Sequence, residues 1–209
     1  MIDAGEFLEP LLSGDTETLI RMTKETLDAG TTAEAVLKEG LIPAMGAVGE
    51  KFRSGEVYIP EVMLAARAMK GAMEVLKPIL TRSSATMAGR VVIGTVKGDL
   101  HDIGKNLVVM MMEGGGYEVV DLGADVSAER FVDAVQRHRP VFVGLSALLT
   151  TTMKGMRQTV LALEKAELRK DVRVIVGGAP VTERFAKEIG ADGYAPDATS
   201  VVAMMRSLL

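Results

Sequence analysis

A four-helix bundle followed by a doubly wound α/β domain is the fold class this sequence predicts, and three observations predict it. Apolar residues recur at helical spacing from Met1 to about Leu80, with almost no strand signal. After Gly89 the rhythm changes to short β-rich runs alternating with helical patterns. Between the two, Thr81 to Gly89 loses its periodicity and gathers small polar residues, among them Ser83, Ser84 and Thr86, as a linker does.

In the first part Leu11, Leu12, Leu19, Met22, Leu27, Val36, Leu37, Leu41, Met45 and Val48 are spaced for helix faces, and four helices fit. Their starts are punctuated. Ser13-Gly14-Asp15 precedes the second helix, Gly30-Thr31-Thr32-Ala33-Glu34 offers a capping-box start to the third, and Tyr58-Ile59-Pro60-Glu61 opens the fourth. Short connections make the helices antiparallel neighbours. The domain boundaries follow: a helical bundle over 1–80, a linker over 81–89 and a second domain over 90–209.

In the second domain the strand candidates are Val91 to Val96, Glu118 to Leu122, Val141 to Leu145, Val172 to Val176, and a weaker fifth at Gly193-Tyr194-Ala195. Helical patterns at Asp102 to Glu113 and Ala128 to His138 separate them. Strands apolar on both faces and joined by helices imply a parallel sheet covered on both sides. Five strands suit the flavodoxin-like order within the Rossmann-like class, where ligands bind beyond the carboxyl ends of the strands, near the point at which strand order reverses. The loops after strands one, three and four are therefore where chemistry is expected.

Composition narrows the function. The 209 residues are 48% hydrophobic and 25% charged, an ordinary globular balance. A net charge of −4 with only 4% aromatic residues argues against nucleic-acid binding. There is no cysteine, which excludes disulfides, thiolate metal ligation and a cysteine nucleophile. The N-terminus carries acids where a secretion signal needs a basic patch and an apolar run, and no apolar stretch reaches spanning length. A cytoplasmic protein without membrane association is expected.

The loop after strand one, Lys97-Gly98-Asp99-Leu100-His101-Asp102-Ile103-Gly104-Lys105-Asn106, is the most polar of the three. His101 lies between Asp99 and Asp102. A carboxylate on one imidazole nitrogen fixes the tautomer for metal binding or base catalysis at the other. A capped helix start, with Asp102 as N-cap and His101 in solvent, explains the same residues taken alone. A phosphate-binding loop fits poorly, because Gly98 and Gly104 enclose five residues and Lys105 is followed by Asn106. Gly114-Gly115-Gly116 follows the helix and reads as its terminator. The loop after strand three, Ser146 to Thr152, is rich in hydroxyls, and Gly177-Gly178-Ala179-Pro180 follows strand four. The hydroxyls also suit helix capping, and the glycines also suit a simple turn.

Together the three loops resemble the B12-binding pattern Asp-x-His-x-x-Gly, Ser-x-Leu, Gly-Gly. Here Asp99-Leu100-His101-Asp102-Ile103-Gly104 is followed by 41 residues, then Ser146-Ala147-Leu148, 28 more, and Gly177-Gly178. The first domain is similar to the helical cap that precedes this module in cobalamin-dependent methionine synthase and methylotrophic corrinoid proteins, with its signature in Met45-Gly46-Ala47-Val48-Gly49-Glu50-Lys51-Phe52-Arg53-Ser54-Gly55-Glu56-Val57-Tyr58-Ile59-Pro60-Glu61-Val62-Met63. The resemblance covers nearly the whole chain.

It implies a corrinoid held base-off, with His101 as the lower cobalt ligand and Asp99 on its other nitrogen. Thr152 stands where methionine synthase has a serine completing the ligand triad, a departure that keeps the hydroxyl and adds a methyl group. Gly98, Leu100, Asp102, Ile103 and Gly104 belong to the same loop. Ser146, Leu148 and Thr150 are implied to line the slot for the nucleotide tail. Gly177, Gly178 and Ala179 approach the nucleotide, and Tyr194, Ala195, Asp197 and Ala198 close its far end. Phe52, Ile59 and Val62 match positions that shield the upper corrin face, and each also suits a bundle core.

The function so implied is that of a methyl carrier, with methylcobalamin cycling between Co(I) and methyl-Co(III), while the chain itself is not catalytic alone. Its partners would be a donor-specific methyltransferase, an acceptor methyltransferase of the tetrahydrofolate or coenzyme M type, and a reductive activation protein. Because the upper face must reach other active sites, the linker Thr81 to Gly89 is a hinge candidate. Three rivals differ in class. A cobalamin-dependent sensor needs a DNA-binding head, and no basic helix-turn-helix precedes the bundle. The cofactor subunit of a radical mutase would not need the cap. A hydrolase built on His101 and Asp99 lacks a nucleophile elbow.

Overall fold

The computed structural model describes residues 2–82 and 88–209. The predicted linker and hinge, Thr81 to Gly89, includes residues 83–87, which lie outside the described residues. Two compact units are present, one made of Met1–Ala88 with Met110–Tyr117, the other of Gly89–Val109 with Glu118–Leu209.

The first unit is helical. Helices α1 (Ala4–Ser13) and α2 (Thr16–Asp28) each begin at an aspartate, and Asp15 accepts from the backbone N–H of Thr18 at 3.0 Å. The third predicted helix runs through three geometries: α3 (Ala33–Ala35), a π-helical turn (Val36–Leu41) and α4 (Ile42–Ser54). Its cap is Thr32, whose hydroxyl accepts from the N–H of Ala35 at 3.2 Å. The predicted capping box does not close, because with Thr32 as the cap its acidic position falls on Ala35, and Glu34 pairs with Lys38 at 2.6 Å instead. The last helix of this unit, α5 (Ile59–Arg82), starts where predicted, with the N–H of Tyr58 donating to Glu61 at 3.0 Å. Leu11, Leu19, Val36, Leu41, Met45, Val48, Met69 and Leu76 are buried, so the helical spacing read from the sequence marks the core of this bundle.

The second unit alternates β1 (Arg90–Thr95), α6 (Ile103–Gly114, of which the residues from Met110 on belong to the first unit), β2 (Glu118–Asp121), α7 (Ala128–His138), β3 (Phe142–Ser146), α8 (Lys154–Lys165), β4 (Arg173–Gly177), α9 (Glu183–Glu188), β5 (Gly193–Ala195) and α10 (Val201–Ser207). Observed strands lie within one residue of the predicted ends. The sheet is parallel throughout, in the order β2-β1-β3-β4-β5, as the flavodoxin-like reading expects. The central strands are buried along their length, which is why Val91, Val92, Ile93 and Val174, Ile175, Val176 read as continuous apolar runs.

Strand order reverses between β1 and β3. From β1 the chain winds to β2 on one side, and from β3 it winds to β4 on the other, so the loops after β1 and β3 part at their shared edge. The N–H of Val96 donates to the carbonyl of Ser146 at 3.0 Å, which ties those loops at their base. Gly177-Gly178 closes the edge for a steric reason. A Cβ built on Gly178 would lie 1.9 Å from the carbonyl oxygen of Ala147, and its φ of 129° is closed to other residues. Gly178→Ala is therefore expected to destabilise the cofactor-free chain by about 3 kcal/mol or more, measured by urea unfolding. A stability within about 1 kcal/mol of the parent would show that this edge relaxes freely.

Candidate functional site

The loop after β1 is organised around one carboxylate. Asp99 is fully buried, and its two oxygens receive five donors. Oδ1 takes the backbone N–H of His101 at 3.1 Å and lies 2.7 Å from His101 Nδ1. Oδ2 takes the N–H of Leu148 at 2.8 Å, that of Leu149 at 3.3 Å, and the hydroxyl of Thr152 at 2.7 Å. Burial alone would raise the Asp99 pKa. The hydrogen bonds from Thr152, Leu148 and His101 together outweigh it, and hold the group well below the ordinary carboxylate value, so it is ionised at neutral pH.

An ionised Asp99 settles the tautomer of its neighbour. Nδ1 of His101 carries the proton and donates it to Oδ1, leaving the Nε2 lone pair free to ligate a metal. The backbone is held as well: the hydroxyl of buried Thr95 donates to the His101 carbonyl at 3.0 Å. The imidazole itself is half exposed, at 52%. So Nδ1 faces a rigid interior and Nε2 faces outward. Asp102 stands at the N-cap position of α6, its carbonyl accepting from the N–H of Asn106 at 2.7 Å, and its carboxylate also accepts from Asn106 Nδ2 at 3.2 Å.

Around His101 the surface is apolar and open. Leu100 and Ile103 are 74% and 78% exposed, and Leu148 and Leu149 on the facing loop are exposed too. A Cβ on Gly104 would meet nothing within 4 Å, so no packing inside the chain requires glycine there. Among the described residues no three His, Asp or Glu side chains converge as a metal cage. A metal already held in a flat apolar macrocycle needs only one protein ligand, and an outward imidazole within an apolar rim suits that group.

Of the remaining predicted residues, Ser146 ends β3, half-buried, and Thr150 is exposed on the next loop. Gly177, Gly178 and Ala179 leave β4; Tyr194 and Ala195 belong to β5. Asp197 is occupied in fastening its own loop, its Oδ1 accepting from the N–H groups of Thr199 at 2.9 Å and Ser200 at 2.8 Å and from the Thr199 hydroxyl at 2.7 Å. Ala198 is buried. In the helical unit Val62 is fully buried, Phe52 is half-buried and Ile59 is exposed.

Known proteins resemble this chain over nearly its whole length. Residues 89–203 match the family described as B12 binding domain, and residues 4–77 match a second family of the same description. This chain belongs to the B12-binding corrinoid proteins. It is 41% identical over 197 residues to trimethylamine corrinoid protein 1 of Methanosarcina acetivorans, covering 93% of this chain and 91% of that one. A cobalamin-binding protein from Desulfitobacterium hafniense superposes with a TM-score of 0.82 at 34% identity, covering all of both chains. A chain of the methanol:cobalamin methyltransferase complex of Methanosarcina barkeri gives 0.83 at 29% identity, covering 97% of this chain and 77% of that one. The cofactor of this corrinoid protein is cobalamin or a related corrinoid. Of its described helices, none is long and apolar enough to cross a membrane.

Three polar elements of the corrinoid protein's site escaped the sequence reading. Thr95 looked like a strand residue. Lys105, read only as evidence against a phosphate loop, is buried and paired with Asp121 at 2.5 Å. Asp125 lies on the loop after β2, outside the three loops where the fold places ligand chemistry, and accepts from the N–H of Gly98 at 2.8 Å. The Asp-x-x-x-Asp of Asp121 to Asp125, beside a strand end, is the available signal.

The Asp99 network makes a pH prediction. Its folded pKa lies below the ordinary 3.8, so the stabilisation is fully present above that value and declines as pH falls through and below it. Urea unfolding should show Asp99→Asn less stable than the parent by about 2 kcal/mol at pH 7, because donors are left facing an amide. That gap should narrow below about pH 4. A gap that stays constant from pH 7 to pH 3 would mean that the Asp99 charge is not what the fold depends on.

Proposed function

We propose that this corrinoid protein is the methyl-carrying subunit of a multi-protein methyltransferase system, with the cofactor base-off and His101 as the lower axial ligand. The observation that carries the reading is the Asp99, His101 and Thr152 arrangement, which presents Nε2 outward within an apolar rim. Bound there, the corrinoid supplies the cobalt that accepts and returns the methyl group. The protein's contribution is binding and orientation. Asp99 holds the Nδ1 proton and fixes the orientation of the ring, Thr152 keeps the Asp99 carboxylate in place, and Leu100, Ile103, Leu148 and Leu149 exclude water from the ligand's surroundings. Ser146, Leu148, Thr150, Gly177, Gly178, Ala179, Tyr194, Ala195, Asp197 and Ala198 would border the nucleotide tail. Phe52, Ile59 and Val62 would shield the reactive face from the helical unit, over proposed domain limits of 1–80 and 90–209.

A carrier with a single protein ligand needs other chains to load and unload it: a donor-specific methyltransferase, an acceptor methyltransferase of tetrahydrofolate or coenzyme M type, and a reductive activation protein. The relatives support this division of labour. One is named for trimethylamine, at 41% identity, and another comes from a methanol methyltransferase complex, at 29% identity, yet each matches more than nine-tenths of this chain. We assign donor choice to the partner for that reason.

The test is an absorbance spectrum of the purified chain reconstituted with methylcobalamin, beside His101→Ala. The expected outcome is stoichiometric binding with the dimethylbenzimidazole displaced, and a visible band that shifts in the variant because the lower ligand is lost. Failure of the parent to bind any corrinoid would sink the whole reading. An unchanged band in His101→Ala would remove only the ligand assignment.

A further inference from the structure

We infer that Asp121, the last residue of β2, and Asp125, on the loop that follows it, brace the histidine loop from both ends and act as positioning residues for the His101 ligand. The inference rests on the reading of His101 as the cobalt ligand. Two lysines bracket that loop, and each meets an aspartate of this one segment. Lys97 Nζ lies 2.9 Å from Asp125 Oδ2, and Lys105 Nζ lies 2.5 Å from Asp121 Oδ2. Asp125 does more than pair with a surface lysine. Its Oδ1 accepts from the N–H of Gly98 at 2.8 Å, and its own N–H donates to the carbonyl of Asp99 at 3.0 Å. It therefore grips three consecutive residues, the last of them the carboxylate that holds His101.

The brace is itself anchored. The carbonyl of Gly123 accepts from the N–H of Thr95 at 2.9 Å, and the N–H of Val126 donates to the Thr95 carbonyl at 2.9 Å, which attaches the segment to the end of β1. Asp121 Oδ1 accepts from the N–H of Gly123 at 2.9 Å and stiffens it from within. At the far end Lys105 also donates to Asn106 Oδ1 at 2.7 Å, and Asn106 in turn donates to Asp102, the residue after His101. Neither aspartate has a hydrogen bond to His101. Each acts through the backbone that carries it, so the loss of either should widen the range of imidazole positions and weaken ligation. Small misplacements of this kind are costly at a metal, where bond lengths and angles are narrow.

Asp125 is the side chain to change. Truncating Asp121 would strand the buried Lys105 ammonium and unfold the loop for a trivial reason. The full-length chain loaded with hydroxocobalamin is compared as parent, Asp125→Ala, Asp125→Asn and the exposed helix control Asp133→Ala. Asp125→Ala is expected to lower the ratio of histidine-bound to histidine-free spectral forms about tenfold, the effect of about one hydrogen bond. Asp125→Asn keeps an acceptor for Gly98 and loses only a partly exposed ion pair, so about twofold is expected. The control should match the parent. Corrinoid bound at the parental ratio in Asp125→Ala would overturn the brace; should that variant not fold, an unchanged ratio in Asp125→Asn would do so. A second readout is independent of the cofactor. In the unloaded chain, amide exchange at Gly98 and His101 should quicken about tenfold in Asp125→Ala while Val143 in β3 is unaffected. A parent with no histidine-bound form would fault the ligand assignment alone, and the exchange data would then decide the brace.

Discussion

The rest of the site depends on a charge buried where water cannot reach it. Asp99 has no exposed surface, and an unpaired carboxylate in that position would be excluded from a stable fold. Its cost is offset by donors drawn from two loops: its own, through His101, and the one after β3, through Leu148, Leu149 and Thr152. Those loops part at the point where the sheet reverses direction. The carboxylate therefore does in side-chain hydrogen bonds what the sheet has ceased to do in backbone ones. Fixing the tautomer of His101 is a by-product of the same solution.

Around this joint the supports grade from rigid to open. Below the histidine, Thr95, Asp99 and Thr152 are all buried, and every one of them is hydrogen-bonded. At the edge, Gly178 presses backbone on backbone against Ala147 and leaves no room for a side chain. Above, Leu100 and Ile103 stand in the open and Gly104 has no neighbour to avoid. Close packing holds what must not move, while apolar surface is left where a cofactor supplies the missing contact.

Most of the fold was legible because its signals are local. Alternating apolar runs and helices give a parallel sheet whatever the loops contain, and Gly193-Tyr194-Ala195 was found as a strand despite its length. The ligand loop was legible through the spacing of three motifs. What escaped reading is long-range polar pairing. Lys105 and Asp121 are 16 residues apart, and Gly98 and Asp125 are 27 apart. No periodicity encodes such contacts, because they follow from the register of β1 on β2, which only the folded sheet supplies. The π-helical turn Val36–Leu41 was invisible for a related reason, since the sequence around it keeps ordinary helical spacing.

Thr152 shows how a substitution in a motif can be read once its surroundings are known. The resemblance expects serine there, and the extra methyl group raised the question of whether the hydroxyl could still serve. It donates to Asp99 Oδ2 at 2.7 Å, and it also lies 2.8 Å from the carbonyl of Leu149. One proton cannot fill both contacts, so the hydroxyl direction matters. The methyl group faces Gly98, where a built Cβ would approach it at an ordinary 3.7 Å. A β-branched residue has few χ1 choices, and here its second branch occupies the space beside a glycine. Both acceptors are reached from one Oγ1 position, so rotation of the O–H selects between them in threonine as it would in serine. Threonine therefore retains the bond of the expected residue, and its β-branch limits the rotamers that would carry the oxygen away from Asp99.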